Sequence, residues 1–256
     1  NVKINQKISE IKNITDIFIY PNMGDGGLAP GCAILSHNKN NKFSPKTIEN
    51  MYLGPKYSNS FVLKEIKKNK LKYIKVPHPE KFVAKKLNEG FVVAFFQGRM
   101  EFGPRALGNR SIFVNASDKS VNDWLNKKLK RTEFMPFAPI TLKRYANEMY
   151  KDLYKKKIAS KFMTITTGCT KKAIKISPAA VHIDNTARPQ IISKKDNKKI
   201  YNVLNEYFKI SKIPNLINTS FNVHEEPIVC SPNDAVRAFK TSKLDYLYIE
   251  DYIVYK

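Results

Sequence analysis

The sequence predicts an α/β protein, a twisted sheet with helices packed on it. Three observations carry this expectation. Apolar runs of strand length alternate with segments whose apolar residues recur at helical spacing. Residues 91–96, FVVAFF, form an uninterrupted apolar run, the pattern of a strand covered on both faces. Residues 79–90 begin on a proline and end on a glycine, the punctuation of a complete helix between strands. With 256 residues, 42% of them hydrophobic, the chain can form one large domain, or one domain and a piece of another.

The elements follow in order. A helix or turn opens the chain, and residues 16–21, DIFIYP, predict a short strand. Four glycines within residues 24–31 make a tight loop, and the small residues after it can enter a helix. Residues 38–60 are polar and turn-rich, a linker. Residues 73–77 predict a short strand. Residues 79–90 are a helix with Phe82, Val83 and Leu87 on its apolar face. Residues 91–96 and 111–116 are strands. Residues 118–131 predict a helix with Asp118 as N-cap and Val121, Trp124, Leu125 and Leu129 at helical spacing. Residues 137–142 predict a strand that Pro139 weakens or places at an edge. A helix rich in Tyr and Lys and a strand over 162–167 come next. Residues 198–211 are a helix with Ile200, Val203, Leu204 and Tyr207 on one face. A strand over 214–218 leads to a helix started by Ser231 and Pro232, and two strands close the chain.

Composition narrows the function. The formal net charge is +23, from 45 Lys and Arg against 22 Asp and Glu. The lysines lie in short scattered clusters such as KEIKKNKLKYIK and SKKDNKK, the pattern of solvated helix faces and loop tips. A specific nucleic-acid partner is therefore not expected; a polyanionic small molecule or a plain basic surface is. No apolar run approaches the roughly 18 residues of a membrane span, and no secretory signal opens the chain. The chain does not begin with Met, so a fragment or processed product is expected. Cys32, Cys169 and Cys230 are far apart and form no CxxC pair. That speaks against a disulfide framework or zinc site and for buried thiols in a reducing cytoplasm.

Five stretches carry candidate chemistry. Residues 98–111, GRMEFGPRALGNRS, hold Arg99, Arg105 and Arg110 with Glu101 and three glycines, directly after the apolar run. Such guanidiniums need counter-charge or water, because burying an ion costs several kcal/mol. Arg forks match phosphate or carboxylate oxygens, and glycines let backbone approach a ligand. Glu101 can satisfy one of the three. The stretch is read as an anion clamp or as a salt-bridge network around Glu101. Lys130 and Arg131 precede an apolar, Pro-rich turn, FMPFAP. His182, Asp184 and Arg188 share the loop AVHIDNTARPQ, where His and Asp can orient each other. Residues 218–222, NTSFN, place Asn218, Ser220 and Asn222 at a strand end, for a ligand or a self-stabilised turn. Asp25 in GDGG suits a turn or a metal.

Together these stretches, in this order and with PNMGDGGLAPGCA upstream and NTSFNVHEEPIVCSPNDA downstream, resemble the carbamoyltransferases of the nodulation and antibiotic-tailoring type. The resemblance runs over nearly the whole chain. It implies a twisted mixed sheet flanked by helices, like that of threonylcarbamoyl-adenylate synthases, over residues 57–256. It implies that residues 1–56 are the tail of an ATPase-like, metal-binding N-terminal domain, on which the second unit packs. The implied reaction makes carbamoyl-adenylate from carbamoyl phosphate and ATP with Mg²⁺. The carbamoyl group then passes to an acceptor hydroxyl, on a small molecule or glycan, in the iron-bearing N-terminal domain.

By that resemblance Arg99, Arg105, Lys130, Arg131, His182 and Arg188 serve catalysis. Glu101, Arg110, Asn218, Ser220 and Asn222 bind nucleotide or adenylate, and Asp25 matches a metal ligand. Met135 stands where the family more often has Arg, Asn185 where it more often has Gly, and Lys128 or Lys130 fills the lysine role. A threonylcarbamoyl-adenylate synthase for tRNA and a basic RNA-binding module on the same fold are the alternatives. A homodimer is left open.

Overall fold

A computed structural model describes residues 1–41, 47–128, 137–223 and 226–256. Its helices are α1 (Val2–Ser9), α2 (Leu28–Asn40), α3 (Asn59–Lys68), α4 (Pro79–Asn88), α5 (Val121–Lys128), α6 (Ala146–Met149), α7 (Lys157–Lys161), α8 (Lys171–Ile176), α9 (Lys198–Ser211) and α10 (Pro232–Thr241). Its strands are β1 (Lys72–Ile74), β2 (Val93–Phe96), β3 (Arg110–Val114), β4 (Ala138–Leu142), β5 (Thr167–Gly168), β6 (Thr186–Ala187), β7 (Gln190–Ile192), β8 (Asn215–Ser220), β9 (Tyr246–Ile249) and β10 (Tyr252–Tyr255). Eight strands form one mixed sheet in the order β1-β10-β9-β2-β3-β8-β4-β7, and β5 pairs with β6 alone. The β2/β9 and β4/β7 pairs are parallel and the rest antiparallel. This is the mixed, helix-flanked sheet that the sequence predicts.

Strand β2 is buried on both faces because alternate residues serve different layers. Val93 and Phe95 join the core made by Val83, Leu87, Ile200, Val203, Leu204 and Tyr207 of α4 and α9. Ala94 and Phe96 join the opposite core, with Val62 and Ile66 of α3 and Ala235, Ala238 and Phe239 of α10. The four residues predicted for the buried face of α9 are all buried. Helix α10 starts as predicted: Pro232 occupies its first turn, and Ser231 and Asp234 exchange hydrogen bonds in a capping box.

Several expectations are corrected. Residues 16–21 form no strand; only the Ile17 N–H reaches the Lys155 carbonyl. Ile17 is half-buried and Phe18 exposed, so the segment lacks the burial an apolar strand gains from its neighbours. Residues 162–167 are irregular up to the two-residue β5, because Thr164 and Thr166 bond to Ala159 and to α1 instead of a neighbouring strand. The Tyr- and Lys-rich helix is broken into short turns, with Asp152 at φ 52° between them. Helix α5 begins at Val121, three residues after Asp118, whose carboxylate accepts the Ser120 N–H; residues 129–131 lie outside the described residues. Pro139 sits in an inner strand, but opposite Ile217 only, since β7 joins β4 from Ile140 onward. The missing donor therefore faces an edge, as proline requires. Cys32 is exposed, against the expectation of burial, while Cys169 is buried and Cys230 half-buried; all three thiols are free.

Among the described residues of 1–56 there is no strand, and this segment adds nothing to the large sheet. Met51 is buried in a cluster with Leu107, Phe162 and Met163.

Gly108 marks the close approach of the arginine-bearing loop to α9. Its φ is +116°, and a Cβ there would lie 2.1 Å from Ile200 Cδ1. Gly108→Ala is expected to destabilise the fold by about 2 kcal/mol, the scale of a strained backbone position. Urea unfolding of the two proteins checks this; equal midpoints would refute it.

Candidate anion site

The segment between β2 and β3 is shaped from within by Glu101. This carboxylate is buried, and its Oε1 accepts the N–H groups of Leu107 at 2.7 Å, Asn109 at 2.7 Å and Arg110 at 3.3 Å. Burial pushes its pKa up, while the hydrogen bonds pull it back down. Gly98, Gly103 and Gly108 all take positive φ, which lets the chain curl around the carboxylate. The salt-bridge network read around Glu101 is not what forms: its hydrogen bonds go to backbone, with no guanidinium among the partners described.

The three arginines diverge. Arg110 is fully buried; its guanidinium donates to the carbonyls of Gln97, Gly98, Asn109 and Pro55 and stacks 3.6 Å over the Phe96 ring. Arg99 is exposed and donates to the Leu53 carbonyl at 2.7 Å. Arg105 is exposed and lines a cavity at its solvent-accessible rim.

That cavity, of about 280 Å³, is also lined by His182, Arg188, Asn218, Thr219 and Ser220. Arg188 donates through Nε to the Met163 carbonyl, while its Nη2 is buried without a partner among the described residues. Burial, helped by repulsion from Arg105, pushes the Arg188 pKa down to about 10. Among the described residues no carboxylate pairs with Arg105 or Arg188. Two cations that repel each other, one with an orphaned donor, leave the cavity positively charged and make it a candidate site for an anion.

The backbone that presents Arg105 is pinned on several sides. Asn218 Nδ2 donates to the Ala106 carbonyl and to Gln190 Oε1, while its Oδ1 is buried without a partner among the described residues. Gln190 Nε2 and the Tyr52 hydroxyl both donate to the Leu107 carbonyl. Ser220 Oγ donates to Asn222 Oδ1, and Asn222 Nδ2 donates to the carbonyls of Val223 and Glu226. Of the NTSFN residues, Asn218, Thr219 and Ser220 line the cavity, whereas Asn222 closes the turn that follows.

The loop carrying His182 turns back at Asn185, which adopts φ +57°; this is the position where the resembled family more often has Gly. His182 and Asp184 meet through Thr186. The Thr186 hydroxyl donates to Asp184 Oδ1, which uses its one proton, so it accepts from His182 Nδ1 at 3.2 Å. His182 therefore carries its proton on Nδ1 and leaves Nε2 as an acceptor. Burial lowers its pKa below 6.5, so the neutral ring prevails at pH 7. Asp184 also pairs with Lys3 of α1, and Val2 lines the same cavity. Helix α1 is held there by Thr166, whose N–H and hydroxyl reach the Val2 carbonyl.

The remaining expected residues fall elsewhere. Lys130 and Arg131 lie outside the described residues. Asp25 sits in a short 3₁₀ turn, and Gly26 and Gly103 both approach Asn22, so that turn leans on the arginine loop. Among the described residues no three His, Cys, Asp or Glu side chains converge on a metal position. Asp25 by itself does not fit a resident iron. Gln190, Thr219 and Tyr52 were not singled out from sequence. Gln190 and Thr219 sit inside stretches already quoted, whereas nothing in the local pattern marks Tyr52.

The fold and these motifs define a carbamoyltransferase-type chain. The carbamoyltransferase C-terminus family matches residues 84–256, more than half of the sequence, and the chain belongs to that family. An uncharacterized protein of Methanocaldococcus jannaschii is 39% identical over 263 residues, covering 99% of this chain and 42% of that protein. The nodulation protein NolNO of Sinorhizobium fredii is 32% identical over 261 residues, covering 100% of this chain and 38% of its own length. The chain thus spans less than half of each of these relatives. A crystal structure of full-length HypF in its phosphate- and nucleotide-bound form aligns with 71% of this chain and 22% of its own, at 20% identity and a TM-score of 0.46. That likeness is too distant to bear on function. No helix among the described residues is long and apolar enough to cross a membrane.

The Asp184 ion pair has a pH signature. The Lys3 ammonium, then the Thr186 hydrogen bonds, hold the Asp184 pKa at about 2, below its ordinary 3.8. A depressed carboxylate contributes stability that is present above 3.8 and lost as pH falls through 2. The contribution is small, because both side chains are about half exposed and solvent screens them. Acid titration of stability should show a step between pH 4 and pH 2 in wild type that Asp184→Asn lacks; superimposable curves would disprove it.

Proposed function

We propose that this chain forms carbamoyl-adenylate from carbamoyl phosphate and ATP. The carbamoyl group then passes to an acceptor hydroxyl in a domain of which residues 1–56 are the tail, with residues 57–256 as the adenylate-forming unit. The observation that carries the reading is the pair Arg105 and Arg188, two guanidiniums lining one cavity, with no carboxylate paired to either and one buried donor unspent among the described residues. Carbamoyl phosphate and the ATP phosphates supply the missing negative charge.

The chemistry asks mainly for positioning and charge stabilisation. Cleavage of the carbamoyl phosphate C–O–P linkage by water gives carbamate and phosphate. A carbamate oxygen then attacks the α-phosphorus of ATP, its P–O bond to the β-phosphate breaks, and pyrophosphate leaves. Arg105 and Arg188 hold the phosphate oxygens as charge shifts among them. His182, neutral and with Nε2 free to accept, can take a hydrogen bond from the carbamate N–H or hold the proton released by the attacking water. Mg²⁺ enters with ATP as the counter-ion of its phosphates. Iron, if the whole protein uses it, needs ligands beyond Asp25.

Pyrophosphate release from ATP, with and without carbamoyl phosphate, tests the proposal. Wild type should release pyrophosphate only when carbamoyl phosphate is present, and Arg105→Ala or Arg188→Ala should cut the rate by roughly 10²–10³-fold. Release that needs threonine and bicarbonate would instead assign the chain to threonylcarbamoyl-adenylate synthesis. A folded wild type that neither releases pyrophosphate nor binds carbamoyl phosphate by calorimetry would sink the proposal.

A further inference from the structure

The loop that carries His182 holds a conflict of charge. A ring that accepts through Nε2 has to stay neutral, yet a carboxylate nearby favours the imidazolium. Asp184 is such a carboxylate. Thr186 stands between the two. It is buried, and the loop closes on it through the His182 N–H, which donates to the Thr186 carbonyl at 2.8 Å. Its hydroxyl donates to Asp184 Oδ1 at 2.6 Å and accepts from His182 Nδ1 at 3.2 Å, and its N–H donates to the same carboxylate oxygen at 3.1 Å. Which ring nitrogen bears the proton is set by the partner of the other, so Asp184 fixes the tautomer through a hydroxyl relay.

The second carboxylate oxygen, Oδ2, is taken by the ammonium of Lys3, 181 positions away in the chain. Helix α1 is anchored so as to put that ammonium there. Asn1 Oδ1 accepts the N–H groups of Lys3 at 3.0 Å and Ile4 at 3.2 Å and caps the helix. The Thr166 N–H donates to the Val2 carbonyl at 3.4 Å, and Asn5 Nδ2 donates to the Thr164 carbonyl at 2.8 Å. Burial disfavours the imidazolium most; Asp184 then favours it, and Lys3 and Arg188 oppose it. Arg105 and Lys119 line the cavities that meet at the ring and add no negative charge. The only carboxylate that acts on the ring among these groups is thus the one that Lys3 neutralises.

We infer that Lys3 is a positioning residue for His182: it offsets the charge of Asp184, so that Asp184 and Thr186 hold the proton on Nδ1 while the ring stays neutral and Nε2 stays free to accept. The use of Nε2 in catalysis rests on the proposed reaction; the tautomer and charge of the ring do not. A residue of the first helix thereby sets the state of a ring in the anion cavity without touching a ligand there.

Nitrogen NMR of the full chain, isotopically labelled at histidine, tests it, with His182 assigned by the signals lost in His182→Gln. At neutral pH wild type should show His182 as the single Nδ1–H tautomer. Thr186→Val should mix the tautomers, and Thr186→Ser should restore the wild-type pattern. Lys3→Met should move the midpoint of the His182 titration to higher pH, because Asp184 then acts uncompensated; Lys3→Arg, which keeps the charge, should not. Pyrophosphate release should follow the ring: Lys3→Met should lose about threefold on the acidic limb of the pH profile, the scale of a solvent-screened ion pair, and match wild type on the plateau. Thermal unfolding and the signals of the other three histidines check that each variant keeps its fold. An Nε2–H tautomer in wild type, an unchanged tautomer in Thr186→Val, or the same His182 midpoint in Lys3→Met as in wild type would overturn the inference. A wild type with the Nδ1–H tautomer and the Lys3-dependent midpoint that releases no pyrophosphate would overturn the proposed reaction and uphold the positioning of the ring.

Discussion

The interaction on which the rest depends is the one between Glu101 and the backbone around it. One carboxylate oxygen gathers three N–H groups from residues 107 to 110 and closes the segment on itself. Left in water those donors would be satisfied cheaply, and the segment would be an open loop. Buried, they need an acceptor, and an ionised one binds them more strongly than a neutral one. The burial that raises the pKa of Glu101 is the cost of that arrangement, and its hydrogen bonds offset it. With the segment closed, β3 starts at Arg110 in register with β2 and β8, and Arg105 is left at the outer bend.

The closure sorts three chemically identical side chains into three roles. Arg110 goes under the loop, where four carbonyls and the Phe96 ring replace water. Arg99 turns to the strap formed by residues 51–55, which runs alongside and exchanges backbone hydrogen bonds with Met100 and Phe102. Arg105 faces the space where Arg188 already stands. A fold seldom leaves two guanidiniums facing one cavity without an acid, because repulsion and desolvation add. Elsewhere some basic residues do meet carboxylates, among them Lys161, Lys199 and Arg237.

Much of the sheet was legible because its strands and helices are bounded by local signals. Pro79 with Gly90 frames α4, Ser231 with Pro232 starts α10, and four apolar residues at helical spacing set the face of α9. The failures share a cause. Residues 16–21 and 162–167 have strand composition, but a strand needs a neighbour. Thr164 and Thr166 found helix α1 and the Ala159 carbonyl, partners far away or irregular that no window of sequence reveals. At the site, the sequence marks which stretches matter but not which way each side chain turns. The three arginines look equivalent in GRMEFGPRALGNRS, and their separation depends on where Glu101 and Phe96 end up. Tyr52 touches the Leu107 carbonyl across 55 positions, a contact that nothing in its neighbourhood encodes.

The Leu107 peptide is held from both ends: its N–H by Glu101, and its carbonyl by Gln190 of β7 and Tyr52 of the strap. Tyr52 in turn accepts from Asn197, which caps α9. A displacement of the strap therefore pulls on the same peptide that sets the position of Arg105 two residues away, and the rigid sheet edge behind it gives the pull something to act against. The strap and the cavity thus share one residue's backbone as their mechanical link, although 55 positions separate Tyr52 from Leu107.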